Sequence, residues 1–240
     1  SGKNLREQWL RPLNDYLFVA GGIGTYIFLY YYALKTAPVF EANIINYLWP
    51  LMLAAVLHYL QKDSFKVYQY IGFFLGFAGC VCLFLEGAQE DIFQEFQVGY
   101  IAAFVAAFAW ALYSGFAKTR NYPVGFMAPI FLLLGILAII PHMLLERTVW
   151  PETFAQWIAI LGLGISRVAV LAWDYGIKNG NRVLLASLSY LIPIPSFLFL
   201  YWAGFGPESS MVWLSAVLVI LGIIVTNWSD IYKLRQYWKK

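Results

Sequence analysis

Two ionisable side chains sit where an apolar sequence should hold none: Arg167, in the run L-G-L-G-I-S-R-V-A-V, and Asp174, seven residues on. A guanidinium near the centre of a bilayer costs at least about 2.5 kcal/mol, so it turns toward a cavity or a partner. Its planar fork can hold a carboxylate through two parallel hydrogen bonds. Asp174 lies two helical turns away, on roughly the same face, where it could meet an amine or a proton; it is the candidate coupling residue. The structural alternatives are an ion pair, or an arginine bonded to backbone carbonyls at a helix break. Lys35 and Lys178 close their apolar stretches, where a cation snorkels to the interface and complements the helix dipole. Glu41 opens the next stretch, where a carboxylate near a helix N-terminus is favoured.

The aromatic side chains form a second group. Tyr26 and Tyr30 share a helix face at i, i+4. With Tyr47, Trp49, Trp110, Trp173 and Tyr190 they lie deep in apolar stretches or beside hinges, and as a set could stack on flat or cationic solutes. Each alone reads as packing. Trp9, Trp150, Trp157, Trp213, Trp228 and Trp238 lie near stretch ends and read as interfacial belt residues. Pro50, Pro193 and Pro195 fall inside apolar stretches, where proline removes a backbone bond and kinks a helix. A membrane tolerates this where a neighbour or a cavity satisfies the freed groups.

No enzyme motif accompanies these residues, so no catalytic residue, metal or cofactor is expected. The two histidines, His58 and His142, stand on different stretches, and no metalloprotease, phosphate-loop or nucleophile-elbow pattern is present. Cys80 and Cys82 are two apart inside an apolar run and point to different faces, which suits small buried hydrophobes better than a disulfide. The 240 residues are 61% hydrophobic and only 12% charged, about half the charge of a soluble domain at roughly 25%. The basic residues are scattered over short loops, which excludes a nucleic-acid face.

The elements that must position these side chains are bilayer-crossing helices of ~20 residues. Eight stretches qualify: Tyr16–Leu34, Ala42–Leu60, Val67–Leu85, Val98–Phe116, Val124–Leu145, Phe154–Tyr175, Val183–Ala203 and Met211–Trp228. The class is all-α, a polytopic helical membrane protein. All basic residues except Lys35, Arg147 and Arg167 fall in the N-terminal segment and every second loop, beside only Glu7, Asp15, Asp63 and Asp230. The alternate loops hold Glu41, Glu86, Glu90, Asp91, Glu95, Glu146, Glu152 and Glu208. This asymmetry places both termini in the cytoplasm.

An internal repeat links the candidate residues. Tyr32 and Tyr175, Lys35 and Lys178, Tyr47 and Tyr190, and Pro50 and Pro193 are each 143 positions apart. So are Gly21 and Gly164, and Gly79 and Gly222. Stretches one to three therefore match six to eight, with five spans per repeat, an odd number, so the copies are inverted. The arithmetic expects two further helices ahead of Ser1, removed or carried on a separate segment; the alternative is an eight-helix protein with an unequal repeat. Residues 1–96 would hold helices three to five of the first repeat, and 97–240 the whole second repeat.

The run A-L-K-T-A-P-V-F-E-A-N-I-I-N-Y-L-W-P, followed by the G-x-x-x-G-x-x-G helix, resembles the drug/metabolite transporter superfamily. It is most similar to EamA-type exporters of the bacterial aromatic amino-acid branch, and W-D-Y-G-I-K-N-G-N…S-L-S-Y-L-I-P resembles the same family's later repeat. The resemblance implies a ten-helix basket of two inverted five-helix repeats, here without its first two helices, around a cavity of alternating access. It implies substrate contacts at Tyr26, Tyr30, Tyr47, Trp49 and Trp110, with Tyr190 and Pro193 from the second copy. Arg167 departs from the family pattern and points to an anionic or zwitterionic solute. The expected function is secondary export of small amphipathic metabolites, amino acids first, across the inner or plasma membrane. The alternative is a nucleotide-sugar or phosphorylated-sugar carrier, which would want more cavity cations than Arg167 with Lys35 or Lys178. A membrane-embedded enzyme and a non-transporting scaffold or receptor are the readings from other classes. The expected partners are the small-molecule substrate, the lipid bilayer and the two further helices.

Overall fold

The computed structural model describes residues 9–61, 65–87, 93, 95–204 and 210–237. Of the charges counted above, Lys3, Arg6, Glu7, Lys62, Asp63, Glu90, Asp91, Glu208, Lys239 and Lys240 lie outside the described residues, as does Trp238. Among the described residues the structure is helical without strands. In chain order the helices are α1 (Leu13–Thr36), α2 (Val39–Asn46), α3 (Trp49–Gln61), α4 (Val67–Gly87), α5 (Val98–Phe116) and α6 (Met127–Leu145). They continue with α7 (Phe154–Ser166), α8 (Val168–Asn179), α9 (Arg182–Leu188), α10 (Pro193–Trp202), α11 (Ser210–Thr226) and α12 (Trp228–Tyr237).

The breaks have local causes. Pro50 has no N–H and its ring opposes the carbonyl four residues back, at Asn46; α2 stops there, and the helix resumes at Trp49 after a turn at Tyr47 and Leu48. In the second copy Pro193 opposes Ser189, and residues Ser189–Leu191 tighten into a 3-10 turn between α9 and α10. Thr153 and Gln156 form a reciprocal capping box that starts α7. The Asn181 side chain caps α9 by accepting from the Val183 and Leu184 amides.

One expectation changes. The sixth stretch is not one continuous helix: it turns at Arg167, whose amide bonds back to Gly164 rather than to the fourth residue before it. Gly162 and Gly164 weaken the preceding turn. Among the described residues seven stretches are long and apolar enough to cross a membrane, with 154–179 counted as one. The eighth apolar helix, α11, is described over 17 residues, Ser210–Thr226.

Helix ends recur at the sequence offset. Thr36 and Asn179 end α1 and α8, and Val39 and Arg182 begin α2 and α9, each pair 143 apart. Helices α4 and α11 pack antiparallel through glycines. A Cβ on Gly72 would meet Thr226 and the Gly222 carbonyl, and one on Gly79 would meet Val219 and the Ser215 carbonyl. Helix α5 presents buried Ala103, Ala106, Ala107 and Ala111 to its neighbours, and small residues let membrane helices approach closely. α1 lies against it, with Gly22 under Tyr113 and Gly99 under Ala33 and Ala37. Helix α7 differs, because none of its residues is buried.

The loops sort to two ends. At one, Arg11 donates to the Asn121 carbonyl, Lys178 to the Tyr122 carbonyl, and Asn181 to Asp230. At the other, Lys35 pairs with Glu146, and Glu41 takes the Phe93 amide.

Candidate functional site

The aromatic side chains converge between these ends. On α1, Tyr26 and Tyr30 stack face to face, centroids 5.7 Å apart and planes at 6°, as their i, i+4 spacing allows. Tyr26 meets Trp110 of α5 at 4.9 Å. Trp110 meets Trp49, the first residue of α3, edge to face at 6.4 Å. Trp173 of α8 completes the group, edge to face with Trp49 at 5.3 Å and nearly parallel to Trp110 at 6.0 Å. Four helices thus contribute to one chain of rings, each contact worth about 0.5–1.5 kcal/mol beyond buried area. The α2–α3 break brings Trp49 into it.

Polar groups line its margin. Tyr30 donates to Asn43 Oδ1 at 2.6 Å, and Asn43 donates in turn to the Val39 carbonyl at 2.7 Å. Asn46 is 3% exposed and its Oδ1 has no partner among the described residues. A helix end at Pro50 therefore leaves acceptors beside the rings. Trp173 Nε1 donates to Ser114 Oγ at 2.9 Å, which turns the indole face toward Trp49 and Trp110.

The other sequence candidates occupy separate places. Tyr47 packs on Phe84 at 5.3 Å. Tyr190 is 1% exposed, lies under Gly76 of α4, meets Phe73, and its carbonyl faces Cys80 Sγ. Pro193 is buried beyond it. Neither Tyr47 nor Tyr190 makes a ring contact with the Tyr26–Trp173 chain among the described residues. Arg167 donates to the Tyr31 hydroxyl at 3.0 Å, and Tyr31 adjoins Tyr30 at 6.5 Å between centroids. Among the described residues Arg167 has no carboxylate partner, so its guanidinium stands at the edge of the aromatic group with donors to spare.

Asp174 does not join Arg167. It is wholly buried and takes three donors: Tyr113 and Tyr122 hydroxyls on Oδ1 and the Lys178 ammonium on Oδ2, each at 2.8 Å. Lys178 also donates to the Tyr122 carbonyl at 3.2 Å and sits 3.1 Å over that ring. This corrects the expectation for Lys178, which is an ion-pair partner one turn from Asp174 rather than a snorkelling end residue. Lys35 likewise pairs with Glu146 at 2.8 Å. Glu41 lies in the first turn of α2, is 5% exposed, and accepts the Phe93 amide at 2.7 Å and the Tyr100 hydroxyl, so it also tethers another segment.

Three contributors had weak sequence signals. Trp173 stood among the deep aromatics but only the fold shows it in the ring chain. Tyr113 and Tyr122 carried no signal beyond residue type. Trp150, Trp213 and Trp228 are 74%, 73% and 58% exposed. Among the described residues no His, Cys, Asp and Glu group could hold a metal ion.

Comparison with known proteins gives four findings. The EamA-like transporter family matches residues 3–85 and 97–228. The aromatic amino acid exporter YddG of Ancylobacter novellus is 34% identical over 229 residues, covering 93% of this chain and 77% of that protein. Its namesake in Salmonella typhimurium is 30% identical over 209 residues, 81% of this chain and 69% of that protein. A solved crystal structure aligns with TM-score 0.82 at 32% identity, covering 90% of this chain and 76% of that one.

Proposed function

The chain belongs to the EamA-like transporter family, a multi-pass membrane transporter of small metabolites and not an enzyme, and we propose that its solute is an aromatic or similarly amphipathic amino acid, exported by alternating access. The observation that carries this is the ring chain Tyr30–Tyr26–Trp110–Trp49–Trp173, drawn from four helices. Rings offer flat apolar faces to a flat apolar side chain. Arg167, at the margin through Tyr31, supplies the fork for a carboxylate. The Asn43 and Asn46 oxygens suit an ammonium. Tyr47, Tyr190 and Pro193 flank this site on the breaks. The names of the two exporter relatives agree with the solute class.

In this account residues 1–96 and 97–240 belong to two inverted repeats that rock about the aromatic group, and two further helices complete the first. The repeated helix ends and the antiparallel α4–α11 contact support that division. The basic loops and both termini face the cytoplasm of an inner or plasma membrane.

The test is a thermal-stabilisation screen of the purified protein with amino acids, aromatic amines and sugar phosphates. The expected result is a selective shift by aromatic amino acids. A shift by sugar phosphates alone would move the function to a phosphorylated-solute carrier.

A further inference from the structure

Helix α8 is held to α5 at two consecutive residues by two consecutive residues: Trp173 to Ser114, and Asp174 to Tyr113. The first contact belongs to the ring chain, the second to the buried carboxylate. Trp110, one turn before them on α5, touches both sides, packing against the Trp173 ring and, at 5.5 Å, against Tyr113. α8 is bounded by the turn at Arg167 and by Gly180.

The spacing decides what an entering ring must do. Trp110 and Trp173 centroids are 6.0 Å apart. A further ring between them needs about 3.5 Å to each face, so the pair must part. The Trp173 indole is bonded to Ser114 of α5, the helix that also carries Trp110, so a ring that parts the pair breaks that bond and draws α8 away from α5. That motion pulls Asp174 from the hydroxyls of Tyr113 and Tyr122. It does not separate Asp174 from Lys178, because both lie on α8 one turn apart. The ion pair travels intact and no buried charge is left alone. Of the other charges at this end, Arg11 and Asp15 pair with each other at 3.0 Å, Arg11 also donates to the Asn121 carbonyl, and Arg182 donates to the Gly115 carbonyl of α5.

From this geometry we infer that Trp173 is a specificity-determining residue that senses an aromatic side chain, and that the Tyr113 and Tyr122 hydroxyls on Asp174 are the latch it releases. The inference rests on the aromatic-solute reading above. Flat rings that wedge Trp110 from Trp173 open the Tyr122 end of the site, and small solutes bind without opening it. Lys178 is a positioning residue that keeps the carboxylate charge-paired as the latch opens.

Hydrogen exchange of the full chain in lipid nanodiscs, read over 117–126 and 168–182 with and without saturating L-tryptophan, tests it. Wild-type exchange should be slow alone and rise with tryptophan. Tyr113→Phe/Tyr122→Phe, which unpairs no charge, should exchange at least about tenfold faster without ligand, having lost two bonds to a charged acceptor. Trp173→Leu should show no tryptophan-induced rise. A Tyr→Phe pair as slow as wild type overturns the latch. A Trp173→Leu protein that responds as wild type does overturns the sensor. If tryptophan gives wild type no thermal shift yet the Tyr→Phe pair still frees α8, the solute reading fails, and sensing by Trp173 with it, while the latch stands.

Discussion

Helix α5 carries a tyrosine near each end, and each meets a buried carboxylate: Tyr100 meets Glu41, and Tyr113 meets Asp174. Thirteen residues separate the tyrosines, about 20 Å along the axis. The two ends are nonetheless built differently. Asp174 has a cation on its own helix and lends its remaining oxygen to hydroxyls from elsewhere. Glu41 has no cation partner among the described residues, and its second donor is the backbone amide of Phe93, held at φ 56°. A charge neutralised within its own helix can leave its neighbours cheaply. A charge satisfied only by neighbours cannot. The Asp174 end is therefore suited to repeated parting, the Glu41 end to staying closed until a larger rearrangement.

Breaking the ion pair should cost most. Lys178→Met leaves Asp174 as an uncompensated buried charge, expected to destabilise the protein by about 3–5 kcal/mol, readable by chemical unfolding in detergent. Asp174→Leu added to Lys178→Met should recover most of that loss; additive costs would mean the pair is not coupled. Glu41→Gln keeps an acceptor but loses the charge, at about 1.5–3 kcal/mol. A cost equal to that of Lys178→Met would erase the distinction between the two ends. Ser114→Ala strands the Trp173 N–H and should cost about 1 kcal/mol, with a loosened Trp173 visible as a shift in tryptophan emission.

The smallest effect belongs to the exposed cluster at the Glu41 end. The Lys35 hydrogen bond, then that of His142, holds the Glu146 carboxyl below its ordinary value. A depressed folded-state value means that the stabilisation is present above the unfolded carboxylate range and lost as pH falls through the folded value. Glu146→Gln should lower Tm slightly at neutral pH, and the deficit should vanish on acidification. A deficit that grows with acid would reverse the assignment.

Much of this was legible because bilayer thickness and proline chemistry act locally. Apolar length marked the helices, Pro50 and Pro193 marked the breaks, and the spacing of 143 reappears in the helix ends. The Tyr26–Tyr30 stack followed from i, i+4 geometry. What escaped depends on which helices meet. Arg167 and Asp174 share a face of one stretch, yet the turn at Arg167 sends one to Tyr31 and the other to Tyr113 and Tyr122. The Asp174–Lys178 spacing was visible, but only burial shows that the lysine turns inward instead of reaching the interface. Tyr190 sits in the repeat position of Tyr47, yet Gly76 of α4 opens a groove for its ring, which takes it into the α4 contact.

Equilibrium binding of L-tryptophan tests the central claim most directly, comparing the unaltered protein with Trp110→Ala in the ring chain and with Trp213→Ala, at a side chain that is 73% exposed. The account predicts saturable binding that Trp110→Ala abolishes and Trp213→Ala leaves intact. Binding that survives Trp110→Ala unchanged would contradict it.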